Sequence, residues 1–238
     1  MATGLQRLGG GLGRFERPSF YQPMESAKCA EWYLARLRPN SWTVGLYVPK
    51  GFEAYARIPH PRWQRVSYSA PGAIFHRGSW KRPVAFDSDP QARDADEGQL
   101  IGPWADVLFE TLADTCSHFD ERCICGLWEG YNVEGPATAR FEIGWNLGFL
   151  LYSTSRNEIG RYLSNHRGPC PSNVPSMIWP ESRSWCVVTP FQFFSTYVAG
   201  SQTVIDRLFE RRGEIDARVA HLDDELVSTI GGRQIVQA

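Results

Sequence analysis

Apolar residues recur at helical spacing in several separate stretches of the chain, with polar residues between them. Ser155 and Glu158 have the form of a capping box at the start of one stretch, and Ser201 is a candidate N-cap for another. Pro103 suits a first helical turn, because the N–H that proline lacks is unpaired there anyway. The pattern predicts helices over about 25–38, from Pro103 onward, over about 155–166 and over about 201–212.

Short runs rich in β-branched and aromatic residues predict strands between these helices. They give two hairpins, 42–48 with 52–58 and 184–189 with 193–198, and two further strands over 122–128 and 149–153. Strands and helices do not alternate strictly, which argues against a doubly wound parallel sheet. The pattern therefore predicts an α+β fold, in which an antiparallel sheet built from hairpins has helices packed on it.

The tail after Glu214 shows a narrower apolar stripe, formed by Ile215, Val219, Leu222 and Leu226. This spacing predicts an amphipathic helix over 214–229. A free helix of about fifteen residues is marginal in water, so the stripe must pack on something. Docking on its own domain is favoured slightly over pairing with a second copy of the chain.

Differences in composition along the chain predict three regions. Residues 1–22 form a Gly-rich arm, 23–213 an α+β domain, and 214–238 the amphipathic helix and tail. Within the domain, 59–100 has many Pro and Gly residues and an acidic run at 87–97, and is predicted to be a long exposed insertion.

The bulk composition favours a soluble protein with a large core. The chain has 238 residues, of which 42% are hydrophobic, with 9 Trp, 9 Tyr and 13 Phe. No segment approaches the ~20 apolar residues needed to cross a bilayer, and the Gly-rich start lacks the apolar run of a signal peptide. We therefore expect no membrane association, a cytoplasmic location and six reduced cysteines.

Charge is distributed unevenly along the chain. Residues 1–86 carry 13 basic and 4 acidic side chains, whereas residues 87–238 carry 12 and 22. The stretch 57–82 combines six basic residues with aromatic ones, a composition that single-stranded nucleic acid binding uses. The alternative, that these cations face the acidic run or solvent, is favoured, so nucleic acid is not the expected partner.

Metal and nucleophile chemistry have weak support in the sequence. Cys116, His118, Cys123 and Cys125 lie within ten residues, but their spacing matches no standard zinc site. Cys123 and Cys125 would share one buried face of the predicted strand. Phosphate-loop, dinucleotide and nucleophile-elbow motifs are absent. We expect no metal and no cofactor.

Two aromatic clusters at strand ends are the most informative binding candidates. They bring Trp and Tyr close to a carboxylate or a guanidinium, a composition that can line a pocket. The alternative is that the tryptophans are ordinary core residues beside a salt bridge. The candidate binding residues are Trp128, Glu129, Tyr131, Trp179, Arg183, Trp185 and Tyr197.

Four segments resemble a family of uncharacterised actinobacterial hypothetical proteins that has no assigned activity. They are VPKGFEAYARIPHP (48–61), CICGLWEGY (123–131), WPESRSWCVVT (179–189) and STYVAGSQTVID (195–206). The resemblance implies a shared fold over most of residues 43–209 and implies no activity. The arm and the tail lie outside it.

These features favour a non-catalytic binding or protein-interaction module over an enzyme. Its partner is expected to be a protein, with self-association through 214–229 as one form. The alternative is an enzyme of unrecognised type with an aromatic-lined pocket. In that case Glu129 would act as the acid or base, with His60 and Arg183 as polar partners.

Overall fold

The structure of the protein is a computed structural model. This structure describes residues 15–39, 41–60, 100, 102–115, 120–131, 133–134, 138–144, 146–165, 174–190, 193, 195–226, 228–230 and 233–235. The helices within these ranges are α1 (Glu31–Leu34), α2 (Pro103–Thr115), α3 (Arg156–Asn165) and α4 (Gln202–Glu210). Single 3-10 turns span Ala27–Ala30, Val44–Leu46 and Glu129–Tyr131.

The strands are short at both ends of the chain and longer in the middle. In chain order they are β1 (Phe15–Glu16), β2 (Gln22–Pro23), β3 (Ala54–Pro59), β4 (Arg122–Trp128), β5 (Val133–Glu134), β6 (Arg140–Ile143), β7 (Leu147–Ser155), β8 (Met177–Pro180), β9 (Cys186–Val188), β10 (Ser195–Gly200), β11 (Arg218–Val219), β12 (Ser228–Ile230) and β13 (Arg233–Ile235).

Nine of these strands form one sheet, in the order β11-β3-β10-β9-β8-β4-β7-β2, with β6 also paired to β7. Every pairing in it is antiparallel. The predicted α+β fold with an antiparallel sheet is therefore confirmed, as is the second hairpin, which is β9 with β10.

Both faces of the sheet are buried. Alternate residues of β4 show this, because Cys123, Cys125 and Leu127 pack with α2, α3 and α4, whereas Ile124 packs on the other side. We call the first side the helix-covered face. The second, the turn-covered face, packs against α1, the turn Val44–Leu46 and part of the tail.

Local signals correctly predicted three helices: α2 begins at Pro103, and α3 and α4 begin after the predicted caps Ser155 and Ser201. The Ser155 Oγ accepts from the Glu158 N–H at 3.1 Å, and the Glu158 carboxylate accepts from the Ser155 N–H at 3.4 Å. The Ser201 Oγ accepts from the Val204 N–H at 3.4 Å at the start of α4. The helix predicted over 25–38 is instead a 3-10 turn followed by the single-turn α1.

The first predicted hairpin, 42–48 with 52–58, is wrong. Residues 44–46 form a 3-10 turn, and β3 pairs with β10 and β11 instead. The backbone of this turn bonds to the tail, with the Val44 N–H donating to the Asp224 carbonyl at 2.8 Å and the Gly45 N–H to the Leu222 carbonyl at 2.9 Å. Local β propensity was therefore overridden by pairing with a segment distant in the sequence.

The amphipathic helix predicted over 214–229 is also wrong. Between residues 214 and 226 the segment is made of turns and loops, and its two-residue strand β11 is added to the edge of the sheet beside β3. Val219, which the helical stripe would have buried, is 59% exposed. Ile215 packs in the helix-covered core, and Ala220 and Leu226 in the turn-covered core. Self-association through an amphipathic helix therefore loses its structural basis.

Several predictions fall outside the described residues. Of the insertion 59–100, the structure describes only 59–60 and 100, and of the basic stretch 57–82 only 57–60. The Gly-rich arm is described from Phe15 onward. In the part of the chain that is described, no helix has the length and apolar character to span a bilayer.

Candidate functional site

Three of the seven predicted binding residues are core residues. Trp179, Trp185 and Tyr197 are 1%, 0% and 4% exposed. Trp179 and Tyr197 belong to the turn-covered core, whereas Trp185 belongs to the helix-covered core. Side chains on opposite faces of one sheet cannot line one pocket. Their burial agrees with the alternative of ordinary core residues.

Trp128, Glu129 and Tyr131 do lie together, where β4 ends in a 3-10 turn. The rings of Trp128 and Tyr131 meet edge to face, with centroids 5.0 Å apart. Glycines permit this arrangement, since an added methyl at Gly130 would overlap the Trp128 indole and one at Gly148 would overlap the Glu129 carboxylate. The side chains of this cluster therefore pack closely against one another and against the two glycines.

The Glu129 carboxylate is committed to an ion pair. It accepts from Arg140 Nε at 2.6 Å and from Arg140 Nη2 at 3.1 Å, and Arg140 also contacts Glu142 at 2.5 Å. The hydrogen bond from Arg140 lowers the pKa of Glu129, because it favours the charged form. A carboxylate held ionised in this way is unsuited to act as a general acid.

Arg183 lies at the far end of the sheet from Glu129. It occupies the turn between β8 and β9, beside the start of β4, where the Glu181 N–H bonds to the Arg122 carbonyl. Glu129 follows the last residue of β4, and a seven-residue strand is about 20 Å long. The predicted binding residues outside the core therefore lie in two separate places: Trp128, Glu129 and Tyr131 at the end of β4, and Arg183 beside its start.

His60 belongs to a third location. It is buried, with its Nε2 3.0 Å from the Thr196 Oγ1. It follows β3, and four strand spacings separate β3 from β4, which is about 19 Å. Glu129, His60 and Arg183 consequently do not converge, and the arrangement required by the enzyme alternative is not formed.

Three residues with hydroxyl groups lie side by side, in or directly beside neighbouring strands, next to His60 on the helix-covered face. They are Thr196, Thr189 and Ser176. The Thr189 and Thr196 hydroxyls are 2.8 Å apart, and the Thr189 N–H donates to the Ser176 carbonyl at 2.7 Å. The Ser176 Oγ is buried and has no hydrogen-bond partner among the described residues. Burying a hydroxyl without a partner is unfavourable.

We expect Ser176→Ala to raise the free energy of unfolding by about 1 kcal/mol, because it removes this unpaired hydroxyl. Thr196→Val is the contrasting variant. It should lower stability by about 1–3 kcal/mol, since it deprives both His60 and Thr189 of a partner. Urea unfolding of both variants would check this, and equal destabilisation by both would contradict it.

Three of the cysteines that the structure describes are held in the protonated form by burial. Burial raises the pKa of Cys125, Cys186 and Cys29, so their thiols stay protonated at neutral pH. Cys123 and Cys125 share the buried helix-covered face, as predicted. Cys116 and His118 lie outside the described residues. Within the described ranges, no group of three or more His, Cys, Asp or Glu side chains could hold a metal ion.

A different surface combines an accessible aromatic ring with cations. Trp32 of α1 is half-buried, and the guanidinium carbons of Arg36 and Arg183 lie 5.6 Å and 5.5 Å from its ring centroid. The indole nitrogen of Trp32 is buried. The accessible part of this ring is therefore carbon surface bordered by positive charge.

Two lysines extend this surface. Lys28 precedes Trp32 by one helical turn, and the Lys50 N–H donates to the Arg36 carbonyl at 3.0 Å. Both side chains are exposed, as are those of the two arginines. We call this surface the Trp32 patch, defined by Lys28, Trp32, Arg36, Lys50 and Arg183.

The backbone holds the Trp32 patch in place. Gly51 has a φ of +98°, and an added Cβ there would lie 3.6 Å from Arg36 Nη1, so the guanidinium packs over this turn. Arg183 has a φ of +59°, and its N–H donates to the Pro180 carbonyl at 2.9 Å. A non-glycine residue in the left-handed region is uncommon and marks a position fixed by its surroundings.

Sequence reasoning found Arg183 and missed the rest of the patch. Lys28, Trp32 and Arg36 are spaced four residues apart and thus share one side of the predicted helix, a signal that was present. Nothing in the sequence indicated that the turn at Arg183 would lie beside them.

Comparison with known proteins adds no relative. The chain matches no protein-family model, and searches of curated proteins and of solved structures give no significant match. The resemblance to actinobacterial proteins therefore stays a prediction.

Proposed function

We propose that this protein is a non-catalytic protein-interaction module that binds its partner through the Trp32 patch. The observation that carries the proposal is the position of two exposed guanidinium groups against one half-buried indole. Trp and Arg are the residue types most enriched among those that dominate binding energy at protein interfaces.

Preorganisation supports the same proposal. Trp32 packs edge to face against the buried Trp179, at 6.1 Å between centroids, and against Phe52 at 6.5 Å. A ring anchored in this way loses little conformational freedom on binding, so more of the contact energy contributes to affinity.

The enzyme alternative has less support. Glu129 is about 20 Å along β4 from the turn that carries Arg183, and β3, which precedes His60, is about 19 Å across the sheet from β4. Glu129 is ion-paired with Arg140, and His60 is hydrogen-bonded to Thr196 in the interior. A binding function needs none of these groups to converge.

The proposal is tested by selecting peptide binders from a randomised display library against the full-length protein. We expect enriched peptides to lose at least about tenfold in affinity when Trp32→Ala is introduced. Trp42→Ala is the matched control, because Trp42 is 49% exposed and lies outside the patch, and it should leave affinity unchanged.

Arg183→Ala, in an exposed turn, provides a second patch variant if Trp32→Ala alters the melting temperature. Enriched peptides that bind both patch variants as tightly as the wild type would contradict the proposed surface. A library that yields no binders at all would contradict the interaction function.

A further inference from the structure

The cations of the Trp32 patch differ from most other arginines of the described surface in lacking carboxylate partners. Within the described ranges, neither Arg36 nor Arg183 nor the two lysines lies within 4.0 Å of a carboxylate oxygen in an ion pair. Glu31, which precedes Trp32, forms no ion pair with any residue that the structure describes either. By contrast, ion pairs are made by Arg38, Arg122, Arg140, Arg207, Arg211 and Arg218.

We infer that the partner bound at the Trp32 patch is an acidic protein segment, whose Asp or Glu carboxylates pair with Arg36 and Arg183 while an apolar group contacts Trp32. This inference rests on the proposed function. The argument for an acidic partner is charge complementarity, because unpaired, exposed guanidinium groups are well suited to bidentate hydrogen bonding with carboxylates.

The two guanidinium groups are close enough together for one short segment to reach both. Each guanidinium carbon lies within 5.6 Å of the same ring centroid, so the two are at most about 11 Å apart. In an extended peptide, side chains two residues apart point the same way and are about 7 Å apart. Two carboxylates at such positions can reach both arginines at once.

Single-stranded nucleic acid fits the same surface less well. Base stacking needs an accessible aromatic face. Here two guanidinium groups already lie against the Trp32 ring, and its indole nitrogen is buried. A base stacked on Trp32 would have to displace at least one of these guanidinium groups, whereas carboxylates can pair with them where they lie.

The test compares two display libraries of short peptides that differ only in charge: one contains Asp and Glu, and the other has Asn and Gln at the same positions. We expect binders from the acidic library alone. Their affinity should fall as NaCl is raised from about 50 mM to about 500 mM, since exposed charge pairs are screened.

Reversing the charge of the patch arginines tests whether the acidic peptides bind at the Trp32 patch. Arg36→Glu with Arg183→Glu should weaken the selected acidic peptides at least about tenfold. The matched control is Arg161→Glu with Arg212→Glu, which changes net charge equally on α3 and just after α4, on the opposite side of the sheet, and should change affinity less than about twofold.

The outcomes separate this inference from the proposed function. Equal enrichment from the neutral library, with binding lost in Trp32→Ala, would overturn the acidic partner and retain the interaction module. Equal weakening by both charge-reversed pairs would also overturn it. Tighter binding of a single-stranded DNA probe than of the acidic peptides, lost on reversal of Arg36 and Arg183, would assign the patch to nucleic acid.

Discussion

Ending the chain after Gly213 is expected to cost most or all of the stability of the fold. The segment that follows contributes Ile215 and Leu226 to the two cores, one on each face of the sheet. Removing a single buried side chain of this size costs about 2–5 kcal/mol, and whole domains are stable by only about 5–15 kcal/mol. The truncation also removes β11, exposing the outer edge of β3.

Urea unfolding and the melting temperature would measure this loss. A truncation after Leu226 is the control, because it keeps β11 and the buried residues and removes β12 and β13, which pair only with each other. It should unfold close to the wild type. A stable, monomeric chain ending at Gly213, as judged by light scattering, would contradict the docking of the tail described here.

The elements that sequence analysis predicted correctly are those set by local chemistry. Pro103 at the start of α2 and the capping pair Ser155 and Glu158 at α3 act within one helical turn. Such signals depend on residues close together in the sequence, so a pattern can reveal them. The same holds for β4, whose alternate cysteines face the core as their spacing indicated.

The wrong first hairpin and the wrong tail helix share one long-range cause. The turn at Val44 and Gly45 bonds to the tail at Leu222 and Asp224, which is far away in the sequence. Each segment alone has a plausible local pattern, a strand in one case and a helical stripe in the other. Pairing between them decided both conformations, and no short window of sequence contains that information.

The candidate site likewise contains residues that a local pattern could predict and one that depends on contacts distant in the sequence. The spacing of Lys28, Trp32 and Arg36 is local and could have been found. Arg183 reaches Trp32 only because β8 and β9 carry its turn to the end of the sheet where α1 packs. Trp185, close to it in sequence, points to the opposite core. A cluster of functional residue types in sequence therefore did not imply a cluster in space.

Replacing Trp179 by alanine is expected to have the second large effect, because this side chain supports the candidate site from beneath. It is stacked on Tyr33 with centroids 5.0 Å apart, meets Phe141 at 6.3 Å, and touches the edge of Trp32. Phe or Trp to Ala changes in a core cost about 3–5 kcal/mol. Unfolding in urea should show a loss of that size.

The same variant should also weaken the peptides selected on the Trp32 patch, since the cavity left by the indole frees Trp32 to move and raises the entropic cost of binding. Trp128→Ala is the control. Trp128 is half-buried at the other end of β4, beside Tyr131, so its loss should cost less stability and leave peptide affinity unchanged. If Trp128→Ala weakens binding as much as Trp179→Ala does, the binding surface lies at the Glu129 end of the sheet, and the assignment of function to the Trp32 patch is wrong.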